Sequence, residues 1–566
     1  MGERHVKDLE KAAGWIRHRE EETQEMTATI RNPILPGFNP DPSICRVGDD
    51  YYIATSTFEW YPGVQIHHSR DLVNWRLVRR PLERASQLDM RGNPDSCGVW
   101  APCLSYCDGL FWLVYTDVKR LDGNFKDAHN YIVTAEAVEA TWSDPVYINS
   151  SGFDPSLFHD DDGRKWFLNM QWNHRLESFT GSPKSPAFDG ILLQEWDERT
   201  RKLVGPVKNI FAGSPLGLVE GPHLFKRDGW YYLTVAEGGT GYDHAVGMAR
   251  SRTIDGPYEM HPNVHLITSK DHPEAALQRA GHGQYVETQD GQAYHTHLCG
   301  RPLPPQRRCT LGRETALQKC VWREDGWLYL ESGGPVPEVT VPAPGAAGTV
   351  AERVVVETDF DEQGLPPEFQ WLRTPLPERI FSLAARNGHL RLFGRESIGS
   401  WFEQALVARR QEHHSFRAET VVDVAPETYQ QAAGLTHYYN RHKFHALGVT
   451  WHEVLGRVVT IFSCPGDFPN GRLTYPVGSG VAVPDGPVHL AMEVRGNDLE
   501  FFWRGAAQTE WVAIGPALDA GVISDEGGRG EHGSFTGAFA GMFAFDISGT
   551  AIPADFDRFR YQALSV

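Results

Sequence analysis

The chain has 566 residues, 41% hydrophobic and 22% charged, an ordinary globular composition for roughly two to five domains. Its 54 Lys and Arg against 73 Asp and Glu leave a net charge of −19, which argues against the basic face that sequence-independent nucleic-acid binding needs. Aromatic residues reach 11%, beside 56 Gly and 37 Pro; strand formers and turn formers together point to β structure, and aromatic faces, whose commoner use is core packing, can also stack on sugar rings.

Residues 1–30 read as a short helical extension of mixed charge, with Glu20-Glu21-Glu22, and Met26 would make a natural start. They hold no secretory apolar run, and no part of the chain approaches the ~18 consecutive apolar residues of a membrane span. The expectation is a cytoplasmic protein with no membrane partner. Eight cysteines are sparse for this length. Cys97, Cys103 and Cys107 lie close together without zinc-site spacing, so buried free thiols are expected.

Residues 31–335 contain an internal repeat. Hairpin signals recur about every 60 residues: Gly48-Asp49-Asp50-Tyr51-Tyr52, Asp108-Gly109-Leu110-Phe111-Trp112, Asp162-Gly163-Arg164-Lys165-Trp166, Asp228-Gly229-Trp230-Tyr231-Tyr232 and Asp290-Gly291-Gln292-Ala293-Tyr294. An Asp-Gly turn accommodates a positive φ, and the aromatic run after it is a strand. Five such units fit a five-bladed β-propeller. A sixth signal, Asp325-Gly326-Trp327, is either a closing strand or a connector. Residues 336–349, rich in Pro and Gly, read as a linker. From 350 to 566, short alternating segments such as His389–Phe393, Arg457–Phe462 and His489–Val494 suggest a jelly-roll-like β-sandwich. The overall expectation is an all-β chain.

Eight or nine residues before each Asp-Gly signal stands a polar or aromatic residue: Asp41, Trp100, Asp154, Glu220 and His282. Equivalent positions on the innermost strands of a propeller converge on its axis. Three carboxylates and a tryptophan would therefore share one funnel, and like charges in one site raise at least one pKa. Glycoside hydrolysis asks for such a set: one ionised carboxylate, one protonated acid, and a neighbour that keeps the acid protonated.

The ordered motifs Asn39-Pro40-Asp41-Pro42-Ser43, Gly92-Asn93-Pro94-Asp95-Ser96 through Val99-Trp100-Ala101-Pro102, Gly152-Phe153-Asp154-Pro155-Ser156-Leu157, Glu220-Gly221-Pro222-His223 and Leu311-Gly312-Arg313-Glu314-Thr315-Ala316 resemble glycoside hydrolase family 43, and most of all its two-domain β-xylosidases. The resemblance runs from Asn32 to Tyr561 and includes Phe535-Thr536-Gly537-Ala538-Phe539. It implies an inverting, exo-acting enzyme that releases D-xylose from the non-reducing end of β-1,4-xylooligosaccharides. The close rival is α-L-arabinofuranosidase, as a side activity or the main one; a non-catalytic sugar-binding propeller is the rival from another class.

By that resemblance Asp41 is the general base, Glu220 the general acid and Asp154 the residue that orients and tunes the acid. Arg313 would bind sugar hydroxyls, or else pair with Glu314. Trp100, Phe58 and Thr240 would line the pocket or pack the core, and Phe535 would close the pocket or sit in its own sandwich. No cofactor is needed for the chemistry, but a calcium ion on the propeller axis at His282, otherwise liganded by water, is a possibility the resemblance raises. Large two-domain relatives suggest a homo-oligomer, a dimer or tetramer. The strand around His437–His445 is expected to have a solvated face, His413-His414 to lie on the surface, and the insertion containing Gly181–Pro186 to edge the pocket.

Overall fold

The computed structural model describes residues 28–175, 177–180, 186–345, 354–528 and 534–565. The helical reading of residues 1–30 and the insertion at 181–185 thus fall almost wholly outside the described residues. Among the described residues the regular elements are strands, apart from two short 3-10 turns at Pro377–Arg379 and Ala520–Val522.

Five antiparallel sheets of about four strands form the propeller blades. Their innermost strands are Ser43–Val47, Gly98–Cys107, Ser156–His159, Glu220–Arg227 and Gln278–Gly281. Each Asp-Gly signal makes the tight turn into the second strand, as at Asp108 (φ 55°) and Gly109 (φ 78°) between Gly98–Cys107 and Leu110–Arg120. The sixth signal resolves as a closing strand: Leu328–Leu330 pairs with Glu314–Trp322 at the outer edge of blade five. The ring is sealed by the segment before blade one. Asn32 Nδ2 donates to the Leu317 carbonyl at 2.8 Å, Leu317 N–H donates back to Asn32 Oδ1 at 2.8 Å, and Asn39 N–H donates to the Arg313 carbonyl at 3.0 Å. Within the segment read as a linker, Thr340–Pro342 is itself a strand, paired antiparallel with Thr29–Arg31.

The second half folds into two packed antiparallel sheets. One holds Val355–Thr358, Phe381–Ser382, Leu390–Phe393, Ser415–Asp423, Val488–Arg495, Asp498–Gly505, Val512–Asp519 and Pro553–Ala563. The other runs from Val481–Ala482 through Gly456–Pro465, Lys443–His452, Gln431–Asn440, Phe539–Asp546, Ala405–Arg410 and Phe369–Leu372. Its eighth strand, Trp60–Tyr61, comes from the propeller and pairs with Trp371–Leu372. Trp60 stacks on Phe539, ring centroids 3.7 Å apart.

This docking corrects two expectations. Gln431–Asn440 has no solvated face, because all ten residues are buried. The propeller covers the face that an isolated sandwich would expose, with Trp60 against Tyr438 at 6.2 Å between ring centroids, while His437 on the other face is bonded to Gln411 Oε1 at 2.8 Å. His413 and His414 are half-buried rather than superficial, and His414 Nε2 bonds the Arg301 carbonyl at 3.1 Å.

Candidate active site

The five in-phase residues sit at or beside an end of an inner strand, Asp41, Trp100, Asp154 and Glu220 at its start and His282 just past Gln278–Gly281, and the backbone there turns in the same way. Asp41 (φ 56°), Ala101 (32°), Asp154 (55°), Gly221 (57°) and His282 (47°) are all left-handed. This region is sparsely used by residues other than Gly, Asn and Asp, so its recurrence marks a shared turn that aims one side chain per blade at the axis. Trp100 and Glu220 each stand one residue before the left-handed position, which is how they enter the same funnel.

The result is one pocket of about 200 Å3, lined by Asp41, Phe58, Trp100, Lys126, Phe153, Asp154, Phe188, Glu220, Gly239, Thr240, His282, Arg313 and Phe535. All nine residues singled out from the sequence are among them. The volume is below the ~300–1,000 Å3 of pockets for drug-sized ligands, a size suited to one sugar ring.

Three carboxyl groups face this space while nearly buried. Asp41 Oδ1 accepts from Arg313 Nη1 at 2.8 Å and Asp41 Oδ2 from Ser56 Oγ at 2.6 Å. Arg313 therefore pairs with Asp41, while Glu314 pairs with Arg301 instead. Asp154 Oδ2 accepts from the Gly221 N–H at 3.1 Å, which fixes Asp154 against the backbone beside Glu220. Burial, reinforced by the charge of Asp41, pushes the Glu220 carboxyl up to about 8. Burial, then Glu220 and Asp41, holds Asp154 well above the usual carboxylate range.

The walls are aromatic and come from both domains. Trp100 lies 5.7 Å from Phe58, 5.3 Å from Phe153 and 5.7 Å from Phe535, centroid to centroid. Phe535 is contributed by the sandwich, and its carbonyl accepts from Arg313 Nη2 at 3.0 Å. Gly312 permits this approach: with φ +70°, it leaves room where a Cβ would stand 2.1 Å from the Thr536 carbonyl oxygen. Thr240 is held by its carbonyl, which accepts from Arg279 Nε at 2.8 Å; Arg279 in turn pairs with Asp525 and Glu526 of the sandwich.

Lys126, Phe153, Phe188 and Gly239 are site residues that the sequence reading missed. Lys126 Nζ lies 4.4 Å over the Trp172 ring and donates to the Leu121 carbonyl at 2.9 Å; burial lowers its pKa. Phe153 was within reach, since it adjoins Asp154 in a quoted motif. Lys126 and Phe188 lie at the starts of outer strands, out of phase with the inner-strand repeat.

The axial cation implied by the resemblance meets a poor donor set. Calcium takes six to eight oxygens, whereas the axis beside His282 offers imidazole nitrogens, with the His223 ring 6.3 Å away. Asp41 Oδ1 is 3.7 Å from His282 Nδ1 but already bonded by Arg313. Among the described residues no group of three or more His, Cys, Asp or Glu is placed to hold a metal ion.

A funnel of three carboxyl groups at the axis of a five-bladed propeller, two of them held above the usual carboxylate range, is the acid–base arrangement of a glycosidase. The family model for glycosyl hydrolases family 43 matches residues 30–328, and that for the β-xylosidase C-terminal concanavalin A-like domain matches residues 357–562. The chain is 61% identical over 535 residues to xylosidase/arabinosidase 43B of Humicola insolens, covering 94% of this chain and 97% of that one. It is 48% identical over 543 residues to a β-xylosidase of Bacillus subtilis strain 168, covering 94% and 99%. Among solved structures, the xylan β-1,4-xylosidase of Bacillus halodurans C-125 superposes with a TM-score of 0.89 at 52% identity, covering 94% of this chain and all of that one. The chain belongs to glycosyl hydrolases family 43.

Proposed function

We propose that this enzyme removes D-xylose from the non-reducing end of β-1,4-xylooligosaccharides with inversion of configuration, and that it cleaves α-L-arabinofuranosides as a side activity. The observation that carries the reading is the convergence of Asp41, Asp154 and Glu220 on a one-ring pocket, where burial and the charge of Asp41 raise the Glu220 carboxyl. Its relatives supply the sugars: two are β-xylosidases, and one is a xylosidase/arabinosidase.

In this mechanism the terminal sugar rests between Trp100, Phe58 and Phe535, with Arg313 donating to its hydroxyls. Asp41, its charge paired with Arg313, takes a proton from water as that water attacks the anomeric carbon. Glu220 gives its proton to the glycosidic oxygen, and the bond to the leaving group breaks. Burial and the charge of Asp41 keep Glu220 protonated, and Asp154 orients it by holding the adjoining backbone through the Gly221 N–H. Two carboxyl groups in these roles stand ~6.5–9.5 Å apart, leaving room for the water. The acid, the base and the water need no cofactor. A cation at His282 would draw on one protein nitrogen and water, and no step passes through it.

Proton NMR during hydrolysis of xylobiose tests the reading: the first-formed xylose should be the α-anomer. Initial β-xylose would overturn the assignment of Asp41 as base. Turnover of 4-nitrophenyl α-L-arabinofuranoside well above that of the β-xyloside would make the arabinoside the main substrate.

A further inference from the structure

Beside the pocket lies a knot of buried groups that the hydrolysis does not use. Ser96, fully buried with φ 60°, sends its polar groups in three directions. Its N–H lies 3.2 Å from both Oε1 and Oε2 of Glu59. Its carbonyl accepts from Trp100 Nε1 at 2.9 Å, and its Oγ accepts from the Phe535 N–H at 3.2 Å. One residue earlier, Asp95 takes Arg373 Nη2 at 2.7 Å and Arg441 Nε at 2.9 Å, both from the sandwich. The Glu59 carbonyl accepts the Arg373 N–H at 2.9 Å.

Glu59 is 1% exposed and is not among the pocket-lining residues. A buried acid is costly unless its bonds achieve something. Here its side chain accepts the N–H of Ser96, the residue whose other two polar groups end on Trp100 and Phe535. Those are the pocket walls given by the propeller and by the sandwich. From Phe535 the chain of bonds returns through Arg313 to Asp41. Burial and the charge of Asp95 push Glu59 up to about 8, so near neutrality it meets Ser96 as an uncharged acceptor.

We propose that Ser96, braced by Glu59 and by Asp95 with its two arginines, is a positioning residue that sets the spacing between Trp100 and Phe535. It thereby tunes affinity for the terminal sugar and the choice between pyranose and furanose rings. The proposal rests on the glycosidase reading, and its test separates the two.

The test is made on full-length Ser96→Ala, Glu59→Ala and Glu59→Gln. KM and kcat are measured on 4-nitrophenyl β-xyloside and α-L-arabinofuranoside, with calorimetric binding of free D-xylose and L-arabinose and with thermal midpoints. Ser96→Ala should raise KM on the xyloside and weaken xylose binding about five- to tenfold, the size of one buried hydrogen bond. Its kcat should stay within about twofold, and the xyloside-to-arabinoside ratio of kcat/KM should change. Glu59→Gln keeps an acceptor for the Ser96 N–H and should match the wild type, whereas Glu59→Ala should follow Ser96→Ala. If KM, sugar binding and the ratio stay within twofold of wild type in Ser96→Ala, the positioning role is overturned. The same holds if the midpoint and kcat fall together at unchanged KM. A wild type that hydrolyses neither glycoside would instead sink the substrate reading, and sugar binding would still decide the positioning role.

Discussion

At the residue scale the proposed mechanism depends on a protonated Glu220, whose carboxyl burial and the charge of Asp41 push up to about 8. On this reading kcat/KM should fall as pH rises through about 8. Lys126 opposes the shift, because its charge favours ionised Glu220. Lys126→Met should therefore move the alkaline limb of the pH profile to higher pH; a limb that stays in place or moves down would show that another group controls it. Glu220→Gln should cost about 10²–10⁴ in kcat on xylobiose and less on an aryl glycoside, whose leaving group needs less help.

Asp41, Asp154 and Glu220 were legible in the sequence because the Asp-Gly turns supply a ruler and the carboxylates fall at one mark on it. Lys126 and Phe188 were not, because their phase is set by outer strands whose lengths vary from blade to blade. Arg313 and Glu314 look like natural partners in the sequence. Arg313 lies in the bend just before the strand Glu314–Trp322, so the two side chains leave in different directions and each finds a partner elsewhere.

At the scale of elements, a close backbone approach between the domains runs along Leu311–Gly312 and Thr536–Gly537. A Cβ at Gly312 would stand 2.1 Å from the Thr536 carbonyl oxygen and 2.8 Å from the Gly537 Cα, and backbone atoms cannot swing aside. Gly312→Ala should displace Phe535, raise KM, and cost about 2 kcal/mol or more in urea unfolding. Gly109→Ala is the control. Gly109 has a similar φ of +78° but nothing within 4 Å, so only about 1 kcal/mol of backbone strain is expected, with KM unchanged. Individual sandwich strands such as Leu390–Phe393 and Val488–Arg495 were readable from alternation. The burial of Gln431–Asn440 on both faces was not, since alternation cannot say what docks on a sheet's second face.

At the scale of the whole molecule the halves are not separable modules. The hydrophobic clusters run across the boundary: one holds Tyr61, Val64 and Val99 with Trp371, Val407 and Met542. Deleting residues 350–566 would expose that surface and the Trp60–Tyr61 edge. The truncated propeller should aggregate and lack activity on small glycosides; a soluble, active fragment would refute this account. Stability should also carry a pH signature. Glu59 and Glu220 are both raised from 4.5 to about 8 in the folded state. Between those values the folded chain binds more protons than the unfolded one. Their contribution is thus complete below about 4.5 and lost as pH rises towards 8. Thermal midpoints should fall across that window, and Glu59→Gln should flatten the slope without abolishing it.

The strand that the propeller lends to the sandwich sets a timetable for synthesis. Trp60–Tyr61 emerges about 310 residues before its partner Trp371–Leu372. At ~5–20 residues per second, that leaves roughly 15–60 s in which a two-aromatic edge waits on the ribosome with no strand to pair. Pro62, directly after it, has no N–H to offer a ladder and suits the role of gatekeeper against wrong pairing during the wait.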